Sequence, residues 1–386
     1  MTMLSDTQSI SALRETEFPI SADWSYLNHA YESPNPARAI AAINDRVAQA
    51  QRPYLAFPQH ELALDQIKQR LSGMTGYAPD RFALLTNVGD ATSTIANGLA
   101  LQSSDEIIMV EREFPSFVFP WRVQEGRGAR CVFVPKDGVA TNLDRIEAAI
   151  TDRTRVIAIS HVDFQSGFKN DVAALGKLAR DRGIYLILDV SQSLGARPFD
   201  YASAGVAGIV GVGFKWLMGL HGLSLLGIAD WAQDAIEPTI AGRNGMTDAW
   251  MDGDLDLNWL PDARRYQSGN LNWLAVWGLA ASLSLHEDFG FANVESRAMN
   301  MRDYLVSGLR ENGVEITSDL RPLHASTIVT FAMGSPERTS AFVQAATANQ
   351  ISLTYRGGWV RSAVHFWNDE SDINRLLDFI ETFRPE

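Results

Sequence analysis

The sequence predicts an α/β fold with a mostly parallel central sheet in a large domain and a smaller α+β domain at the C-terminal end. Short segments rich in Ile, Val and Leu alternate with amphipathic segments from about residue 82 to residue 228. These apolar segments lack polar alternation, which indicates a sheet covered on both faces. After about residue 250 the pattern changes to long helical segments followed by a few strands. The predicted division is a large domain at residues 20–270 and a small domain formed by residues 1–19 and 271–386.

The elements follow in order along the chain. In the large domain the apolar segments predict strands at residues 81–86, 105–110, 129–134, 155–161, 184–190, 206–212 and 222–228. The amphipathic segments between them predict helices at residues 91–101, 116–125, 143–150 and 171–182. In the small domain the helices are predicted at residues 271–289, 292–312 and 371–383, and the strands at residues 327–331, 351–354 and 359–363.

Composition excludes several classes of protein. The net charge of −13 and the absence of a basic stripe argue against nucleic-acid binding. No run of eighteen apolar residues occurs, so no membrane span is expected. The first 18 residues contain no apolar block and so do not resemble a signal peptide. This favours a location in the cytoplasm. A single cysteine, Cys131, excludes an intrachain disulfide framework and a cysteine-rich zinc site, and no metal site is predicted.

Three segments that follow predicted strands carry the chemistry, because ligands of parallel α/β sheets bind at the carboxyl ends of the strands. Residues 86–92 form a small-residue turn that opens a helix, where free N–H groups suit a phosphate, although helix capping alone explains such a turn. Asp189 ends an apolar strand. Its carboxylate either caps the next helix or pairs with a cationic ring nitrogen. Lys215 follows the next strand between aromatic residues, where desolvation would make its amine an imine-forming nucleophile.

The order of these segments resembles the class V aminotransferase and cysteine desulfurase family of fold-type I pyridoxal-phosphate enzymes. The matching segments span most of the chain, at residues 26–30, 160–162, 188–195, 214–219 and 360–368. The resemblance implies a fold-type I enzyme that carries pyridoxal 5'-phosphate as an internal aldimine and acts on an amino-acid-like substrate. It also implies a homodimer with active sites near the interface.

The same resemblance assigns roles to individual residues. Those expected at the cofactor are Lys215 as the Schiff-base lysine, Asp189 at the pyridine nitrogen, Gln192 near the ring hydroxyl or phosphate, Phe114 stacked on the ring, Gly89 and Asp90 as backbone donors to the phosphate, and Asn270 reaching the phosphate from the neighbouring subunit. Those expected at the substrate are Arg361, whose planar guanidinium suits an α-carboxylate, and Asn28 and His29 at the substrate entrance. Arg356 is either a second anion contact or a surface arginine.

Several positions depart from the family pattern. Val212 and Phe214 stand where a hydroxyl residue and a histidine commonly contact the cofactor. Asn270 replaces a usual threonine, and Phe164 replaces an asparagine whose contact to the ring hydroxyl could pass to Gln165. These departures leave open which groups hold the phosphate.

The leading hypothesis is a class V aminotransferase, and a β-lyase or an amino-acid epimerase on the same scaffold remains an alternative. A cysteine-dependent desulfurase is disfavoured, because the loop at residues 355–359 contains no cysteine. His29, His161 and Tyr31 are candidates for a second acid or base. A cofactor-binding protein without turnover and a nicotinamide dehydrogenase are further alternatives, and the absence of a dinucleotide-binding fingerprint argues against the dehydrogenase.

Overall fold

The computed structural model describes residues 7–55, 57–247 and 256–383. The helices are α1 Thr7–Glu17, α2 Ala37–Gln49, α3 Phe57–Thr75, α4 Val88–Gly98, α5 Pro115–Gln124, α6 Leu143–Ala149, α7 Val172–Asp181, α8 Tyr201–Ala204, α9 Asp230–Gln233, α10 Trp273–Phe289, α11 Phe291–Glu311, α12 Pro336–Ala348 and α13 Glu370–Thr382. The strands are β1 Ser25–Tyr26, β2 Phe82–Leu85, β3 Glu106–Val110, β4 Arg130–Val134, β5 Thr154–Ser160, β6 Tyr185–Asp189, β7 Gly208–Val212, β8 Ser224–Ile228, β9 Glu315–Ile316, β10 Ile328–Ala332, β11 Ile351–Ser352, β12 Thr354–Arg356 and β13 Trp359–Ala363.

A seven-stranded sheet forms the centre of the large domain, in the order β2-β8-β7-β6-β5-β3-β4. Strands β7, β6, β5, β3 and β4 pair in parallel, and β8 runs antiparallel to both of its neighbours. The strands β3 and β8 are buried along their whole length, as expected for a sheet with helices on both faces. The predicted α/β class with a mostly parallel central sheet is therefore confirmed.

A four-stranded antiparallel sheet, in the order β12-β13-β10-β9, forms the smaller domain. Its apolar core includes Leu305 of α11, Phe342 of α12 and Ile373 of α13. Helix α10 instead contributes Ala275 and Leu279 to the core of the large sheet. The division at residue 270 stays a prediction, although the packing associates α10 with the larger domain.

The N-terminal segment is anchored by the C-terminal part of the chain. The Nη1 of Arg14 on α1 donates to Asp372 of α13 at 2.5 Å and to the carbonyl of Trp367 at 3.2 Å. Strand β1 pairs in parallel with β11, so the segment leading to Asn28 lies beside the smaller sheet. Within the described ranges, no helix is long and apolar enough to cross a membrane.

Candidate active site

A cavity of about 390 Å³ lies at the carboxyl edge of the large sheet, and β12 and β13 of the smaller sheet complete its wall. The residues that line it are Ala30, Tyr31, Glu32, Asn87, Val88, Gly89, Phe114, Ser116, Ser160, Val162, Phe164, Asp189, Ser191, Gln192, Val212, Phe214, Lys215, His221, Arg356 and Arg361. Segments that are far apart in sequence converge here because the parallel strands end at one edge of the sheet.

Lys215 follows β7 and lies among aromatic rings in this cavity. Its Nζ is 5.6 Å from the ring centroid of Phe114 and 5.9 Å from that of Phe214. Burial lowers the pKa of Lys215 to about 8; the Asp189 carboxylate opposes this shift, whereas the cationic Arg361 and Arg356 reinforce it. A substantial fraction of this amine is therefore neutral near pH 8, as a nucleophile or a proton acceptor requires.

Asp189 is the last residue of β6, and its carboxylate is buried in the cavity wall. Its Oδ1 accepts a hydrogen bond of 2.8 Å from the backbone N–H of Ser191. Burial raises the pKa of Asp189, and the Ser191 hydrogen bonds and nearby Lys215 partly offset that effect. The carboxylate thus has too few protein partners for its buried position, so a cation placed in the cavity would stabilise it.

Arg361 of β13 is buried, with one edge of its guanidinium free. Its Nη1 donates to the carbonyl of Phe164 at 2.5 Å, whereas Nε and Nη2 have no hydrogen-bond partner. Burial lowers the pKa of Arg361 to about 9, and Arg356 lowers it further, while Asp163 opposes the shift. The free Nε and Nη2 are the pair of donors that binds both oxygens of a carboxylate.

The N-terminus of α4 lines the cavity beside β2. The side chain of Asn87 caps this helix by accepting a hydrogen bond of 2.9 Å from the backbone N–H of Asp90. That N–H is therefore occupied, and the exposed Asp90 does not line the cavity, contrary to its expected role as a free donor. The remaining N–H groups of the first helical turn, at Val88 and Gly89, are the ones suited to an anion.

Phe114 and Gln192 both line the cavity, and their contacts with a cofactor stay a prediction. The ring of Phe114 meets the ring of Phe164 edge-on, with their centroids 5.3 Å apart. The amide of Gln192 accepts from the indole of Trp216 and donates to the carbonyl of Ala30. Gln192 therefore connects three segments of the cavity wall in addition to any contact with a ligand.

Besides Asp90, three predicted site residues lie outside the cavity. Asn270 belongs to a separate groove of about 990 Å³, so a cofactor role would require a second subunit. Asn28 is buried and accepts from the hydroxyl of Thr354 at 2.6 Å. His29 is fully buried among the rings of Tyr26 and Trp367. Both side chains are buried and do not line the cavity, and their expected role at the substrate entrance stays a prediction.

Of the acid–base candidates, only Tyr31 lines the cavity. His161 is buried against the hydroxyl of Tyr201 at 2.8 Å. The sequence reasoning missed His221, which stacks on Phe214 with centroids 3.9 Å apart and whose Nε2 lies 3.1 Å from the Glu32 carboxylate. No local pattern marks this histidine, since only the fold of the loop after Lys215 places it in the wall.

The comparisons with known proteins identify the family. The family model for class V aminotransferases matches residues 41–366. The chain belongs to the class V aminotransferase family. Its sequence resembles a protein named "Probable cysteine desulfurase" from Methanothermobacter thermautotrophicus, with 23% identity over 95% of this chain and 96% of that protein. It also resembles isopenicillin N epimerase of Streptomyces clavuligerus, with 24% identity over 83% of this chain and 84% of that protein.

Solved structures of other proteins show the same fold as this chain, whose family is pyridoxal-phosphate-dependent. The cystine C-S lyase C-DES, in complex with its reaction product cysteine persulfide, superimposes with a TM-score of 0.88 at 23% identity. The alignment covers 96% of this chain and 100% of that one. A C-DES mutant with glycine covalently linked to its PLP cofactor gives the same TM-score of 0.88, at 22% identity over 95% of this chain and 98% of that one. The fold-type I prediction is thereby confirmed.

Proposed function

We propose that this class V family member is a pyridoxal-phosphate-dependent aminotransferase acting on an amino-acid-like substrate. The observation that carries the proposal is the convergence of Lys215, Asp189 and Arg361 on one cavity. Each supplies a group that the chemistry needs: a buried amine, a buried carboxylate and a guanidinium with two free donors. The family assignment supports the cofactor, and the geometry supports the division of roles.

The residues of the cavity fit pyridoxal phosphate. Lys215 would hold the cofactor covalently, and Asp189 would pair with its ring nitrogen. The first N–H groups of α4 would receive the phosphate, and Phe114 would cover a face of the ring. The hydroxyl of the buried Ser191 lies in the same wall, beside the Asp189 carboxylate. When bound, the cofactor supplies an electron sink for the electrons left at the substrate Cα.

The side chains of the chain itself perform the remaining tasks. Arg361 binds the α-carboxylate through Nε and Nη2 and so orients the substrate Cα toward Lys215. The neutral Nζ of Lys215 accepts the Cα proton and can return it at a different atom. Val162, Phe164 and Phe114 make that part of the cavity apolar, which excludes water and strengthens each charged contact.

A β-lyase or epimerase differs only in the fate of the proton or leaving group, so product analysis must separate these reactions. A persulfide-forming thiol is not available in the cavity. Cys131, the single cysteine of the chain, lies on β4 and is absent from the cavity lining. Burial raises the pKa of its thiol to about 12, which disfavours the reactive thiolate.

We also infer that the enzyme is a homodimer located in the cytoplasm. A dimer would allow Asn270, which lies in a groove outside the cavity, to reach the cofactor phosphate of a neighbouring subunit. Sedimentation of the purified protein tests the dimer, and cell fractionation tests the location.

The decisive experiment compares the native enzyme with Lys215→Ala, using Lys177→Ala as a surface control. Lys177 pairs with Asp181 on the exposed face of α7, so its loss should leave the cofactor in place. We expect the native protein and the control to be yellow and to yield a cofactor-modified Lys215 peptide after borohydride reduction. Lys215→Ala should give no such peptide.

Amino acids are then added to the native enzyme. A keto acid from the first amino acid and a new amino acid from an added keto acid would establish transamination. Pyruvate with ammonia would indicate elimination, and a D-amino acid would indicate epimerisation. A native protein that remains colourless after incubation with pyridoxal phosphate would contradict the proposal.

A further inference from the structure

A second arginine of the cavity wall lacks a counter-charge. Arg356 lies on β12, and its guanidinium carbon is 5.5 Å from the ring centroid of Phe164. Its Nε is buried without a hydrogen-bond partner, although the side chain as a whole is partly exposed. Within the ranges that the structure describes, no carboxylate forms an ion pair with Arg356. Such a cation is poised to bind an anion from solution.

The charges of the cavity support this interpretation. Lys215, Arg356 and Arg361 are its basic lysine and arginine side chains, and Glu32 and Asp189 are its carboxylates. Glu32 faces His221, and under the proposed function Asp189 pairs with the cofactor. The α-carboxylate of the substrate then pairs with Arg361, and Arg356 has no partner among the carboxylates that line the cavity. Its repulsion already contributes to the lowered pKa values of Arg361 and Lys215.

The surroundings of Arg356 associate it with the substrate rather than with the cofactor phosphate. Arg356 contacts the ring of Phe164, and Arg361 donates to the backbone carbonyl of that same residue. The two arginines therefore lie on the wall formed by the smaller sheet, and both contact Phe164, which follows β5 of the large sheet. The anion site expected for the phosphate instead lies at the N-terminus of α4, which belongs to the large sheet.

We propose that the substrate is an α-amino acid with an acidic side chain, whose second oxyanion binds Arg356 while its α-carboxylate binds Arg361. This inference rests on the proposed function and specifies its substrate class. A side-chain carboxylate or sulfinate would each supply the required oxygen acceptors. A neutral amide of the same size has only one acceptor oxygen and no negative charge, so it cannot pair with both donors of the guanidinium or neutralise its charge.

The test measures binding by the change in the visible spectrum of the cofactor-loaded enzyme. Aspartate is compared with asparagine, glutamate with glutamine, and cysteine sulfinate is a third acidic probe. We expect at least one acidic amino acid to bind about 10- to 100-fold more tightly than its amide, as charge-assisted hydrogen bonds allow. Arg356→Gln should weaken binding of the acid by that factor and leave binding of the amide unchanged.

Two further variants separate this effect from local damage. Arg356→Lys should retain part of the preference for the acid over its amide, since lysine keeps the positive charge but lacks the paired donors of the guanidinium. Tyr355→Phe, at the neighbouring position of β12, should retain all of it. Equal binding of acids and amides by the native enzyme, or equal weakening of both by Arg356→Gln, would overturn the inference and leave the proposed function intact. A spectrum that no amino acid changes would overturn the proposed function, and this inference with it.

Discussion

The side chains of Gln192 and Trp216 are joined by a buried hydrogen bond of 3.1 Å, in which the indole Nε1 donates to the amide Oε1. Gln192 follows β6, which ends at Asp189, and Trp216 follows Lys215 directly. The same amide donates to the carbonyl of Ala30 at 2.9 Å. One side chain thus couples the segments that carry the buried carboxylate and the buried amine.

We expect Gln192→Ala to destabilise the enzyme by about 3 kcal/mol, because it leaves the buried indole N–H and the Ala30 carbonyl without these partners. Urea unfolding monitored by circular dichroism measures this change. Gln344→Ala, which removes the same side chain at an exposed position of α12, is the matched control and should change the stability by less than about 0.5 kcal/mol. A change below 1 kcal/mol for the alanine variant would contradict the coupling role.

Replacing Arg361 should impair recognition of the α-carboxylate. For Arg361→Gln we expect roughly 100-fold weaker binding of an L-amino acid to the loaded enzyme, since two charge-assisted hydrogen bonds are lost. The corresponding amine without a carboxylate should bind both proteins equally. Arg182→Gln, at an exposed site paired with Glu147, is the control and should bind normally. A parallel loss for the amine would instead indicate damage to the fold.

Gly195 is required where the Asp189 segment passes beneath Trp216. It adopts φ +99°, and a Cβ there would lie 2.5 Å from the carbonyl oxygen of Trp216. That oxygen also accepts from Nε2 of His286 and of His365, both at 3.0 Å. We expect Gly195→Ala to lower the free energy of unfolding by about 3 kcal/mol and to reduce cofactor retention.

Gly183→Ala is the control for this clash. Gly183 also has a positive φ, of +65°, but a Cβ there meets no atom within 4 Å. The Gly183→Ala substitution should lower the free energy of unfolding only by the backbone strain, about 1 kcal/mol. Equal costs for the two variants in urea unfolding would show that the contact with Trp216 is unimportant.

The buried histidines should make the protein sensitive to acid. Burial lowers the pKa of His29 and His161 to about 3 and that of His286 to about 4, from an ordinary value of 6.5, and it lowers the pKa of His365 well below that value. Below about pH 6.5 these histidines are therefore protonated in the unfolded chain but remain neutral in the folded chain. This contribution to stability is fully present above pH 6.5 and declines as the pH falls toward the folded pKa values.

Two buried carboxyl groups act in the opposite direction. Burial raises the pKa of Glu113 to about 7 and also raises that of Asp189, so folding takes up protons at these groups as the pH falls. The histidines outnumber them, and we expect a net loss of about 3 kcal/mol per pH unit between pH 6 and pH 5. Urea unfolding across this range measures the slope. His161→Gln should reduce the slope by about 1.4 kcal/mol per pH unit, and an unchanged slope would contradict this account.

The sequence by itself determined the α/β class, the strands of the large sheet to within a few residues, and the likeness to a pyridoxal-phosphate family. These features are local, because an apolar strand, a following turn and the motif around Lys215 can each be read from neighbouring residues. The strand from Trp359 to Ala363 matches its prediction in both bounds. Helices α2 and α3 were not predicted, although α2 packs against α10 and α3 contributes to the core of the large domain.

Only the tertiary structure decided which side chains reach the cavity. Asn28 and His29 occupy a segment that matches the family, yet they are buried where β1 and β11 meet the smaller sheet. Arg356 could equally have been a surface arginine until the fold placed it beside Phe164 and Arg361. The direction and burial of a side chain depend on contacts between residues far apart in the chain, and a local sequence pattern does not encode those contacts.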